Sequence, residues 1–151
     1  MNPAIDLDVF MTTLEEMEVF WYGKEYRLKG FLFGYTSFRS ETSFVTVTGR
    51  IPLPLAQKLL DADLEYQICL DLDQKHLSNL LEKAKTETKA EIRRSSHFKL
   101  SNADAEKLVS EKSEDDLFVT SITINSVEGL RFVVNTIRQM PYTNEWAFGN
   151  N

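Results

Sequence analysis

Nine of the 17 aromatic side chains lie between Phe20 and Phe44, in three stretches whose polar and apolar residues alternate. Alternation with a period of two places successive side chains on opposite faces of an extended chain, and aromatic and β-branched residues suit that pleated surface. This stretch of the sequence is therefore committed to a sheet. Residues 19–22, a tight connection at Gly23-Lys24-Glu25, and residues 26–35 read as an antiparallel hairpin, with residues 43–50 as a third strand. Along an unbroken strand 26–35, Arg27, Lys29, Phe31, Phe33 and Tyr35 share one face. Tyr26, Leu28, Gly30, Leu32 and Gly34 share the other, where the glycines leave room for a closely packed helix. In the third strand Val45 and Val47 oppose Phe44, Thr46 and Thr48, as in a sheet covered on one side.

The remaining pattern changes period. Asn2-Pro3 suits the start of an N-terminal helix, and Leu55, Leu59 and Leu60 predict a short helix over 55–60 after Pro52 and Pro54. Tyr66, Ile68, Leu70 and Leu72 alternate with Gln67, Cys69, Asp71 and Asp73, which predicts a strand. A helix is expected from Lys75 through Leu77, Leu80, Leu81 and Ala84. Its polar far end, up to Arg94, is expected to fray or turn extended. Ser101 and Ser126 have the chemistry of helix N-caps, the first for a peripheral helix ending near Lys112. The second precedes Leu130, Val133, Val134 and Ile137, an apolar stripe at helical spacing that follows a β-rich run over 117–125. Pro141 stops that helix, and a tail over 142–151 carries Trp146 and Phe148 without periodicity.

These elements predict an α+β fold with a mixed or largely antiparallel sheet of about five strands. The three-strand meander comes first, and helices pack mainly on one face. With 151 residues, no internal repeat and no low-complexity linker, one domain over 1–151 is expected. No apolar run approaches the roughly 18 residues that a membrane helix requires. The opening residues carry five acids before Phe20 and no base, the reverse of a targeting segment, so a cytoplasmic location is expected. The single cysteine, Cys69, agrees with a reducing compartment.

Catalytic chemistry finds little purchase. His76, His97 and Cys69 are the only nitrogen or thiol ligands, too few and scattered for a zinc site, and no cofactor is expected. The six glycines do not cluster into a phosphate cradle. Lys29-Gly30-Phe31-Leu32-Phe33-Gly34-Tyr35 superficially shares the basic-Gly-aromatic character of RNA-recognition segments, but Leu32 and Gly34 stand where other residue types belong. Acidic and basic residues are unevenly spread: residues 1–18 and 61–73 carry only acids, while 24–58 and 75–99 are net basic. Such blocks steer association with charged partners unless they interleave in space.

The chain is thus read as a non-enzymatic interaction module, a small acidic protein of inhibitor, immunity or adaptor type whose partner is another protein. Arg27, Lys29, Phe31, Phe33 and Tyr35 are its candidate binding residues, and an uncovered aromatic face would also permit self-association. Nucleic-acid or nucleotide binding through the same aromatic and basic stretch is one alternative. A carboxylate-dependent enzyme using Asp71 and Asp73 is the other.

Overall fold

The computed structural model describes residues 5–37, 43–66, 70–71 and 80–140. Helix α1 (Leu7–Glu16) leads into β1 (Phe20–Tyr22), β2 (Glu25–Leu28), β3 (Phe31–Ser37) and β4 (Ser43–Pro52). Then follow α2 (Leu53–Tyr66), β5 (Leu70–Asp71), α3 (Leu80–Ser95), α4 (Asn102–Ser110), a 3₁₀ turn (Glu114–Asp116), β6 (Phe118–Ile124) and α5 (Val127–Arg138). The fold is α+β, and all five strand pairings in its single sheet are antiparallel. Strand order is β1-β2-β3-β4-β6-β5, so the last strand in sequence inserts between β4 and β5.

The expected strand over 26–35 is in fact two strands. Lys29 and Gly30 both have left-handed backbone, with φ of 51° and 85°, and form a two-residue turn of the type whose twist matches antiparallel strands. The turn adds a sixth strand and reverses the chain, so that Tyr26 pairs with Phe33 and Leu28 with Phe31. Residues directly opposite share a face. Tyr26, Leu28, Phe31, Phe33 and Tyr35 therefore lie together with Val45 and Val47, and Arg27 lies on the other side with Leu32 and Gly34. The face expected to unite Arg27 and Lys29 with Phe31, Phe33 and Tyr35 does not form.

The apolar side of this sheet meets α1 and α5. Phe10 of α1 packs edge-on against Tyr26, with ring centroids 5.5 Å apart, and α5 contacts β2. Leu130, Val133, Val134 and Ile137, the stripe read from sequence, are all buried, and the Ser126 hydroxyl caps α5 by accepting from the Gly129 N–H at 3.0 Å. Ser101 caps α4 in the same manner through the Asp104 N–H. The first helix is capped by Asp6, which accepts from Val9, and so it starts later than Asn2-Pro3 suggested. Ahead of it, the Ile5 carbonyl accepts hydrogen bonds from Tyr35 and Ser43, which ties the incoming chain across β3 and β4.

Two helices outrun their sequence signals. The second, expected over 55–60, runs to Tyr66, so Tyr66 closes a helix rather than opening the expected strand, of which Leu70–Asp71 (β5) is the part among the described residues. The third stays helical to Ser95 despite its polar sequence, because ion pairs within a turn and contacts to β6 support it. Lys83 meets Glu87 at 2.8 Å, and Glu91 meets Arg94. Lys85 also pairs with Glu82, and Lys89 with Glu106 of α4, so much of the positive charge of this block is neutralised locally.

Helix α3 also solves an edge problem. β5 pairs with β6 only at Ile124 and Thr123, leaving the Phe118 end of that edge without a strand among the described residues. There the buried Thr88 hydroxyl accepts the Phe118 N–H at 3.0 Å and donates to its carbonyl at 3.3 Å. Glu87 accepts the Thr120 N–H at 2.7 Å and its hydroxyl as well. Side chains thus take the place of a neighbouring strand. Replacing Thr88 by Val should destabilise the protein by about 1–3 kcal/mol, because two buried backbone groups lose their partner, while Thr88→Ser keeps most of that stability. Urea unfolding midpoints of the two variants measure this difference.

Candidate functional site

Alternation along the paired strands gives the sheet one closed and one open face. The open face runs from Phe20, Tyr22 and Arg27 through Leu32 and Gly34 to Thr46 and Thr48. Thr48, Arg27, Gly34 and the two rings are exposed, and a methyl group added at Gly34 would meet nothing within 4 Å. Among the described residues no helix packs at Gly34, contrary to the expectation for the glycine-bearing face.

The exposed apolar surface concentrates at one end. Among the described residues seven large hydrophobic side chains are exposed, and five of them, Leu7, Met11, Phe20, Trp21 and Tyr22, lie on α1 and β1. The three consecutive rings are 64%, 59% and 70% exposed, which is unusual for side chains that favour burial. They occupy the edge strand, so they flank it on both sides. Phe20 and Tyr22 project with Arg27 onto the open face, where the Arg27 guanidinium stands 5.7 Å from the Tyr22 ring centre. Trp21 pairs with Tyr26 on the other side and meets its ring edge-on at 5.1 Å. There Trp21, Leu7 and Met11 border a groove of about 600 Å³ floored by Phe10, Phe33 and Tyr35.

Local chain geometry explains why these rings stay outside. Gly23, with φ of 70°, opens a two-residue turn to β2, so β1 is only three residues long and ends the sheet. Just before it, Glu18 takes left-handed backbone with φ of 59°, and its carbonyl accepts from Arg138 of α5 at 2.8 Å. Val19 then donates its N–H to the Leu14 carbonyl at 2.8 Å. The strand is therefore anchored at both ends, and among the described residues no element covers the rings between.

The five residues singled out from sequence are dispersed. Phe31 and Phe33 are 0% and 1% exposed and belong to the core. Tyr35 is half-buried, with its hydroxyl on the Ile5 carbonyl. Lys29 donates to the carbonyls of Arg138 and Met140, at 2.8 and 2.6 Å, and so holds the end of α5. Arg27 alone lies on the open face. The signal that marks Phe20, Trp21 and Tyr22 was present in the sequence as a short strand, read over 19–22, next to a glycine turn. Such a strand is short enough to be an edge.

Polar chemistry does not converge here. Burial raises the pKa of the Tyr26 phenol, and the Glu15 carboxylate adds to the shift, so the ring stays neutral and serves as packing. Elsewhere, burial lowers the pKa of Arg50, which lies 4.6 Å from the Phe118 ring centre, and the Glu91 carboxylate opposes the shift. Among the described residues no three His, Cys, Asp or Glu side chains are grouped to hold a metal ion. Cys69, Asp73, His76, Phe38, Arg39 and the tail with Trp146 and Phe148 lie outside the described residues, as does the side chain of Asp71. Among the described residues no helix is long and apolar enough to cross a membrane.

No family model, curated protein or solved structure matches this chain. The site must be judged on its own geometry. Phe31→Ala should destabilise the fold by about 3–5 kcal/mol, whereas Phe20→Ala should change stability by about 0.5 kcal/mol or less. Thermal or urea unfolding of the pair checks which rings are structural and which are free for contact.

Proposed function

We propose that the protein is a single-domain, non-enzymatic interaction module that binds another protein at β1. What carries this reading is the run Phe20-Trp21-Tyr22, three exposed rings in succession on an edge strand, continuous with Leu7 and Met11. Monomeric soluble proteins seldom leave contiguous apolar surface of this kind uncovered, and aromatic residues dominate the energetics of protein contacts. An edge strand adds a second means of recognition, because an extended segment can pair with its backbone while the rings grip on both sides. Arg27 and Tyr35, candidates from the sequence, border this surface rather than form its centre.

An inhibitor, immunity-type or adaptor role suits such a surface, in a cytoplasmic setting that accords with the single cysteine and the acidic composition. Nucleic-acid binding has less support. Lys29 is engaged with the end of α5, and the basic block of α3 is largely paired with its own carboxylates.

Affinity capture from the native source, with the purified partner then titrated against variants, tests the proposal. Trp21→Ser together with Tyr22→Ser should weaken binding at least about thirtyfold, since losing even one such anchor costs roughly 2 kcal/mol. A partner that binds this variant as tightly as the wild type contradicts the reading. So does a nucleic-acid ligand released by salt and by Arg27→Gln.

A further inference from the structure

We propose that the strand docking on β1 is the same strand of a second copy, so that the chain forms a two-fold dimer with Trp21 at its centre. The inference rests on the contact role of β1 and names its partner. Three features of the edge support it.

The first is which backbone groups face outward. A two-residue hairpin loop is closed by a residue pair that exchanges both of its hydrogen bonds, here Tyr22 and Glu25. Alternation then turns the N–H and C=O of Trp21 away from β2. The outward N–H of Val19 is already taken by Leu14, so an added strand is centred on Trp21 rather than further back. A two-fold axis through an antiparallel Trp21–Trp21 pair lets each copy donate to and accept from the other. This joins the two sheets into one.

The second feature is ring placement. Pairing about Trp21 sets Phe20 beside Tyr22 of the second copy and Tyr22 beside its Phe20, all four on the open face. Cross-strand aromatic pairs of this kind stabilise antiparallel sheets. The Trp21 rings meet on the other face, where the groove bordered by Leu7 and Met11 offers apolar surface.

The third feature is charge, and it selects a second copy over an arbitrary strand. Glu18 and Lys24 are both exposed, and each lies three residues from Trp21, on opposite sides. Antiparallel self-pairing brings Glu18 of each copy towards Lys24 of the other, at both ends of the contact. A parallel arrangement brings like charges together instead. The edge is thus complementary to itself in one orientation only.

Sedimentation equilibrium of the full chain over a wide concentration range tests this. The wild type should dimerise, and Trp21→Ser should abolish the dimer. Glu18→Lys and Lys24→Glu should each weaken it by roughly tenfold, because each sets like charges together at both ends. An equimolar mixture of these two variants should regain wild-type affinity, since both ends of the mixed dimer again carry opposite charges. Circular dichroism of each variant confirms that it is folded. A monomeric wild type throughout the range overturns the proposal, as does a dimer unaffected by these substitutions or one that mixing fails to restore. If the wild type is monomeric yet captures another protein through Trp21, only the self-pairing falls. If it captures none, the contact role of β1 falls with it.

Discussion

One turn governs the rest of the structure. Lys29 and Gly30 bend the backbone into the left-handed region, a conformation glycine adopts freely and lysine only at a cost of about 1 kcal/mol. The same lysine side chain reaches the carbonyls of Arg138 and Met140, where a helix leaves acceptors unfilled and its dipole is negative. A charge-assisted bond at this point offsets the strained backbone and fixes the end of α5 to the turn that follows β2. Because the turn reverses direction after Leu28, it decides which face receives Phe31 and Phe33. Both become core, and the apolar side of the sheet closes under α1 and α5.

The exposed rings are the counterpart of that closure. With Tyr26, Phe31, Phe33, Val45 and Val47 supplying the sealed face, the three residues of β1 have no partner layer among the described residues. At the opposite side of the sheet an exposed edge is dealt with differently. There α3 lowers Thr88 and Glu87 onto the free backbone groups of β6 and satisfies them with side chains. The two edges of one sheet thus receive opposite treatment, one blunted and the other left open with aromatic flanks. Natural sheets blunt edges to prevent pairing with other chains. An edge kept open and ring-bearing agrees with a surface used for association.

The sequence was informative wherever the local pattern and the packing agreed. The stripe of α5, the caps at Ser101 and Ser126, and the alternation of Val45 and Val47 with Thr46 and Thr48 all appear in place. It misled at 26–35, where an alternating pattern survives a two-residue reversal: the apolar residues Leu28 and Phe31 flank Lys-Gly on either side, and a continuous strand reads much the same. The positive φ of Lys29 and Gly30 distinguishes them, and lysine is not a residue that announces it. That single ambiguity moved the candidate site, because it exchanged the faces of Phe31, Phe33 and Arg27. The polar end of α3 was underestimated for a different reason. Its helix is held by ion pairs and by contacts distant in sequence, which periodicity does not record.

The most direct measurement is hydroxyl-radical footprinting of the intact protein, read residue by residue. The account predicts heavy labelling of Phe20, Trp21 and Tyr22 in dilute, dissociated protein, with Phe31 and Phe33 protected as core rings. Labelling of Phe31 and Phe33 with protection of the three β1 rings would contradict it, since the strand 26–35 would then run unbroken and the sheet would present its other face.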